Sequence, residues 1–513
     1  MAAPQSIASR RHLKNARTAP ARVGSSGLPL LLLFLTLLVA YVYTPPRWQD
    51  WNQNSRFNLT QALVDERTVR IDSYVANTGD YALIDGYAYT DKAPGLSLLA
   101  VPPYFLTDAA GSLGLRSVTG RLSRGDTFAA TLNPDGEGLS QKRVDRVVAL
   151  YAATALAVGA PAAAMGVLTA LIVFHLARCR IAALLSALIV GFASPVFTYS
   201  QAFYGHVPAA VCLVAAYALV LLRPDSGLTT RRLVAIGALL GAATVIEYLA
   251  AVAGVPIALW ALAVSGKRAA VWGTLGALPA FAVLAAYDWI AFGTILPVGY
   301  EHSALWQEQH DTGFMSLTHP HWNAIWGVSF SPFRGLFYFA PVLLLAIPGI
   351  WIALRSRDQR APVAVAIASF GLMFLFVASS TMWWGGFAVG PRYLLPAVPF
   401  LAIPLGVLIG WVNSQPLRAR LSGLGVVGLA SMYSALCVWT MTFAGQGYPP
   451  DTIRRPLTGY ALPALRDGDI ARNLGMVLSL NGAWSLVPLL ILVLLGVALS
   501  AMRLLATEKV LVQ

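Results

Sequence analysis

The sequence predicts an all-α polytopic membrane protein of about twelve membrane-spanning helices, with a large first extracytoplasmic loop carrying interfacial helices. Three observations predict it. Hydrophobic residues make up 57% of the 513 positions and charged residues only 12%, against about 25% charged in an average soluble domain. That leaves too little polar surface to clothe a soluble particle. Apolar runs able to supply a helix of about 20 residues recur along the chain. Between them, Arg and Lys gather in every second short loop, as the positive-inside rule requires of cytoplasmic loops. Those loops account for the formal charge of +13, so nucleic acid is not an expected partner. Three cysteines make no disulfide framework: Cys179 sits in an Arg-Cys-Arg turn, and Cys212 and Cys437 lie in apolar runs, as small buried thiols.

In chain order, residues 1–27 form a basic cytoplasmic tail with Arg10, Arg11, Lys14, Arg17 and Arg22. Residues 28–43 are a first helix, read as retained because no small-x-small cleavage site follows. The first extracytoplasmic loop, 45–146, holds most of the polar chemistry and one apolar segment, 93–113, rich in Pro and Gly. Charge parity decides how that segment lies. If it spanned the membrane, every later basic loop would fall opposite the basic N-terminus, so it belongs in the interface. Spans then run down to Arg178 and Arg180, up to Ser200, down to Arg223, up to Ile246, down to Lys267 and up to Phe292. Later spans descend to Arg355, rise to Ser380, descend to Arg418, rise to Phe443 and descend through 484–505. The transmembrane domain is 28–505, and 506–513 is a cytoplasmic C-terminal tail. The expected location is the cell (inner or plasma) membrane, multi-pass, with both termini inside. Function concentrates on the outer loops: 45–146, 201–207, 293–335, 381–392 and 444–483.

Four stretches could carry chemistry. In Asp85-Gly-Tyr-Ala-Tyr-Thr-Asp91-Lys92-Ala-Pro94-Gly95, a carboxylate and a cation stand where polar loop meets apolar helix. Lys92 reads either as an anion site at a helix start or as a snorkelling Lys with Asp91 as a cap. In Trp383-Trp384-Gly385-Gly386 to Arg392, an Arg begins a helix at the outer edge, where its guanidinium fits a phosphate. Tyr204-Gly205-His206 closes the short second loop, and Glu247 is an acid at the membrane edge. The loop 293–335 holds Glu301, His302, Glu308, His310, Asp311, His319, His321, three tryptophans and Arg334, a further phosphate candidate; its histidine spacing matches no zinc motif.

In these residues the chain resembles the GT-C superfamily of membrane glycosyltransferases, in the bacterial branch related to protein O-mannosyltransferases and aminoarabinose transferases. Tyr89-Thr-Asp91-Lys92-Ala-Pro94 resembles the Tyr-x-[Asp/Glu]-Lys-Pro-Pro element of the first outer loop. Ser194-Pro195 through His206-Val-Pro208 resembles the second-loop element, and Arg392-Tyr-Leu-Leu-Pro396 the late helix start. The resemblance implies a polyprenyl-phosphate sugar donor, with the sugar passed to an acceptor glycan, lipid or protein on the outer face. Lys92 and Arg392, with Arg56 and Arg334, are the expected phosphate ligands. His206, Tyr204, Glu247, Trp383, Trp384, Tyr89 and His302 are the expected substrate residues.

The sequence departs from the family in its acids. Gln53-Asn54-Ser55-Arg56-Phe57 stands where the family carries Asp-Glu-x-Arg-[Tyr/Phe], and His206 stands at an Asp position. The expected base is therefore Asp91, with Asp50 and Asp72 as the other options. No metal ligand is assigned; the cofactor is unknown, with a divalent cation left open. A carrier or flippase for lipid-linked sugars, or a catalytically silent relative, is the alternative. Polar groups crowd one face and the spans are nearly free of charge, which favours an enzyme at one surface over a transporter.

Overall fold

The computed structural model describes residues 27–47, 50–110, 144–296, 299–305, 312–313 and 316–509. The helices that frame the fold and the site are α1 (Leu28–Val42), α2 (Trp51–Gln61), the short α3 (Gly95–Leu99), α4 (Val101–Ala110), α5 (Val144–Thr154), α6 (Ala160–Ala177), α7 (Arg180–Phe192) and α8 (His206–Leu221). They continue as α9 (Thr230–Ile246), α10 (Ala250–Ser265), α11 (Lys267–Phe292), α12 (Ala346–Leu354), α13 (Arg357–Ala378), α14 (Ala402–Asn413), α15 (Leu417–Phe443) and α16 (Val487–Lys509). Among the described residues, five helices are long and apolar enough to cross a membrane: Arg146–Ala177, which joins α5 to α6 through a π turn, then α11, α13, α15 and Gly482–Leu504. Shorter apolar helices of 10–17 residues stand beside them, α1, α7, α8 and α10 among them. The chain is an integral membrane protein by this measure.

The helices pack through small residues, because lipid offers apolar side chains no reason to leave it. The α9–α11 pair shows the device: a Cβ on Gly237 would run into the carbonyl of Gly273, and one on Gly276 into the carbonyl of Val234. Leucines at 275 and 278 and Phe281, on other faces of α11, are exposed where lipid would meet them. By contrast α14 is buried on nearly every face, as a helix hydrophobic all round must be.

The first loop corrects one expectation. It is not purely helical: β1 (Ala82–Ile84) and β2 (Tyr87–Tyr89) form an antiparallel hairpin. Asp85 and Gly86 make its two-residue turn with φ of 50° and 81°, the primed-turn geometry that Asp-Gly favours. The apolar segment 93–113, as far as it is described, is broken at Ala100 into α3 and α4, of 5 and 10 residues. Neither reaches the length of a span. Leu99, Phe105 and Leu106 are exposed on it, as on a helix lying at an interface.

Candidate active site

Helix α2 organises the site. Asp50 caps it, accepting from the backbone N–H of Gln53 at 3.2 Å. Its side chains are mostly polar, yet Asn52, Gln53, Asn54, Ser55, Arg56, Asn58, Thr60 and Gln61 are all buried. A buried polar helix persists only if its groups are paired. Arg56 shows how: Nη1 donates to the carbonyls of Ala93 at 3.1 Å and Ile246 at 3.2 Å, and Nε to Oδ1 of Asn52 at 3.2 Å. Nη2 donates to Oε2 of Glu247 at 2.9 Å.

Glu247 lies in the turn between α9 and α10 and is buried. Burial alone would raise its carboxyl, but His206 and Arg56 outweigh burial and hold it at about 2. His206, the first residue of α8, places Nδ1 3.0 Å from the same Oε2. The contact is short but misaligned for hydrogen bonding, and neither ring nitrogen has a hydrogen-bond partner. Gly205 permits this: a Cβ there would meet Oε2 of Glu247 at 2.9 Å.

A second cluster surrounds Lys92. Its Nζ lies 3.1 Å from Oδ2 of Asp91 and 3.2 Å from Oδ2 of Asp80, and 5.3 Å from the centre of the Tyr300 ring. Ser303 donates to Oδ2 of Asp91 at 3.4 Å, while Oδ1 has no hydrogen-bond partner. Pairing with Lys92 predicts a depressed Asp91; instead burial dominates and raises its carboxyl, with Lys92 opposing and Asp80 reinforcing. Burial would lower Lys92, but Asp80 and Asp91 outweigh it and raise the amine.

A third cluster joins Asp50, Tyr204 and Arg392. Tyr204 donates its hydroxyl to Oδ2 of Asp50, and Nη1 of Arg392 donates to the Tyr204 oxygen at 3.4 Å. Burial raises the Asp50 carboxyl against these partners. Arg392 is 8% exposed, its Nε has no hydrogen-bond partner, and no carboxylate lies in ion-pair reach of it among the described residues. Its guanidinium carbon instead lies 5.5 Å from the centre of the Tyr204 ring and 5.2 Å from that of Tyr393. Gly385 admits it closely: a Cβ there would meet Nε of Arg392 at 3.0 Å. Tyr199 and Tyr448 close the wall around Tyr204.

The structure thus brings Asp50, Arg56, Asp91, Lys92, Tyr204, His206, Glu247 and Arg392 into one buried region. Other expected residues lie elsewhere. Asp72 is exposed and accepts from the Ala88 N–H at 2.7 Å, fixing the hairpin. Tyr89 packs in a small core with Tyr287 and Phe292. His302 is exposed and stacks on Phe292. Arg334 is fully buried and spends its donors on the carbonyls of Phe333, Trp384 and Gly386, so it holds the loop that carries Gly385; burial lowers its guanidinium to about 10. Trp384 donates to Asp451 at 3.1 Å, and Trp383 packs edge-on to Phe333 and lies against Gly327. Trp306, Glu308, His310 and Asp311 lie outside the described residues. Asp80, Tyr199, Tyr300, Tyr393 and Tyr448 belong to the site but were not named as site residues; Tyr199 and Tyr393 lie inside the second-loop and Arg392 motifs, while nothing in the local sequence marks the other three. Among the described residues no three of His, Cys, Asp or Glu gather as a metal cluster.

An integral membrane protein with a buried, charged site walled by tyrosines is the class that fold and site define. No family model matches the sequence, and no curated protein matches it. Among solved structures the chain is similar to ArnT from Cupriavidus metallidurans, at 17% identity and a TM-score of 0.47, over 93% of this chain and 74% of that one. A second ArnT structure, bound to undecaprenyl phosphate, matches at 16% identity and a TM-score of 0.46, with the same coverage. The archaeal oligosaccharyltransferase AglB from Archaeoglobus fulgidus, in complex with an inhibitory peptide and a dolichol-phosphate, matches at 14% identity and a TM-score of 0.44. That match covers 81% of this chain and 56% of AglB, so the chain spans just over half of AglB's length.

Proposed function

We propose that the chain is a GT-C-type membrane glycosyltransferase, moving a sugar from a polyprenyl-phosphate donor to an acceptor on the extracytoplasmic face and releasing polyprenyl phosphate. It crosses the membrane twelve times, with both termini in the cytoplasm. The observation that carries the reading is Arg392: a buried guanidinium with no carboxylate partner among the described residues and an unsatisfied Nε. A buried charge needs an opposite one. A phosphate, with its planar sets of oxygens, suits that fork bidentately.

Lys92 takes a different part from Arg392. Asp80 and Asp91 already compensate it, so it meets the donor through a cluster rather than as a bare cation. Burial raises the carboxyls of Asp50 and Asp91, which eases the entry of a phosphate beside four carboxyls and three cations.

The test is donor binding and turnover by purified protein in lipid nanodiscs, with radiolabelled undecaprenyl-phosphate mannose and undecaprenyl-phosphate arabinose. Arg392→Ala is expected to weaken donor binding by about 10- to 100-fold, the loss of charge-assisted hydrogen bonds. Lys92→Ala is expected to weaken it less. Binding unchanged in Arg392→Ala would remove the phosphate site. Binding without turnover in the wild type would point to a carrier of lipid-linked sugars.

A further inference from the structure

We infer that His206, oriented by Glu247, is the base that takes the proton from the acceptor hydroxyl in the transfer proposed above, an inference that rests on that reading. Three observations carry it. His206 is 1% exposed and its Nε2 has no hydrogen-bond partner. Buried polar atoms are rarely left so, and a ligand that supplies the missing partner explains the exception. Glu247 stands 3.0 Å from Nδ1, on the other side of the ring. A carboxylate there selects the tautomer with the proton on Nδ1, leaving the Nε2 lone pair open. The angle of this contact is poor, as contacts of catalytic groups often are before substrate arrives.

Burial favours a neutral resting imidazole, while Glu247 pulls towards the charged form and the two arginines oppose it. Arg56 already compensates Glu247 at 2.9 Å. Arg392 opposes a second cation. The remaining neighbours are the rings of Tyr204, Tyr393 and Tyr199, at 5.9, 5.8 and 6.4 Å between centres. Of the carboxyls expected as bases, Asp91 keeps one oxygen, Oδ1, without a hydrogen-bond partner, but it lies beside the Lys92 cluster rather than against the His206 ring. Asp50 accepts from Tyr204 and Gln53, and one oxygen of Asp91 faces Lys92 and Ser303. Asp72 is exposed and bonded to the hairpin.

The step balances. The acceptor oxygen forms a bond to the anomeric carbon while its proton passes to Nε2. The bond from the anomeric carbon to the phosphate oxygen breaks, and its electron pair leaves with polyprenyl phosphate. Glu247 stabilises the imidazolium, and Arg392 the leaving phosphate. Glu247 is a positioning residue: it acts through His206 and touches no substrate atom.

The experiment uses the full chain in nanodiscs with the two labelled donors named above and a lipid and glycan extract of the envelope as acceptor. His206→Ala is expected to lose about 10²- to 10⁴-fold in turnover, to keep donor binding, and to recover part of its rate in added imidazole. Glu247→Gln is expected to lower kcat while leaving the donor KM unchanged. The wild-type rate rises with pH through a single ionisation, and that limb is absent in His206→Ala. Wild-type turnover that survives both His206→Ala and His206→Gln overturns the base alone. Loss of turnover together with donor binding in both variants, with no imidazole rescue, makes His206 structural and also overturns it. No turnover by the wild type overturns the proposed function, and the base with it.

Discussion

At the scale of single residues, Glu247 gives the sharpest prediction. Its carboxyl stands at about 2 in the folded chain against an ordinary 4.5. A carboxyl depressed by folding stabilises the fold fully above its unfolded value, and that stabilisation fades as pH falls through its folded value. Asp50 and Asp91, both raised, act in the opposite sense, so a variant must isolate the contribution. The melting temperature of wild type in detergent should fall more steeply than that of Glu247→Gln between about pH 5 and pH 2. Parallel curves would mean that Arg56 and His206 do not hold this charge. Much of the site was legible at this scale, because Lys, Arg, His and Glu stand out in apolar sequence. Asp80 was not: it sits in a loop already rich in polar residues, and only the fold of the hairpin that follows it brings it 3.2 Å from Lys92. Asp72 misled for the matching reason, since an acid in a polar loop can cap backbone as readily as do chemistry.

At the scale of elements, the position of Glu247 depends on how α9 meets α11. The carbonyl of Ile246, which Arg56 uses, and Glu247 itself sit at the end of α9. That helix is held by direct backbone approach at Gly237 and Gly276. Gly276→Leu must push the helices apart; overpacking typically costs about 1–3 kcal/mol. Melting followed by size-exclusion in detergent should show the loss, and turnover should fall with it because the end of α9 shifts. Gly273→Ala is the counter-case: a Cβ at Gly273 itself meets nothing within 4 Å, and Ala is the better helix former, so stability should hold or rise. Equal damage from both would refute packing through these glycines. The sequence showed both helices through their apolar runs, but not the pairing, since small residues are spread throughout this chain. It also held the Asp85-Gly86 turn in plain view, a hairpin signal hidden by an all-helical expectation. The buried polar character of α2 was illegible for a simpler reason: a polar helix reads as exposed until its partners are known.

At the scale of the whole molecule, the disposition of the chain across the membrane turns on the segment beginning at 93. Its described part, α3 and α4, supplies at most about 24 Å of rise at 1.5 Å per residue, and it breaks at Ala100. A hydrocarbon core of about 30 Å is not crossed by that length. On the proposed reading the segment lies along the outer interface, which would put residues 1–27 on the same side as the basic turns after α8 and α14. On that reading the candidate site faces outward, because Lys92, His206, Glu247 and Arg392 sit at the opposite ends of the helices from those turns. Cysteine labelling tests it directly, after Cys179, Cys212 and Cys437 are replaced by Ala. In intact cells a membrane-impermeant maleimide should reach Thr318→Cys and Asp467→Cys, both exposed and on the side proposed as outer. It should reach Ser226→Cys, Ser414→Cys and Ser6→Cys only after permeabilisation. Were the 93–113 segment a true span, Ser6→Cys would fall on the side opposite Ser226→Cys, and one of the two would label in intact cells. That single mismatch would put an odd number of spans in the chain. With Thr318→Cys and Asp467→Cys also protected, the charged cluster would face the cytoplasm, where a donor presented at the outer leaflet could not reach Arg392.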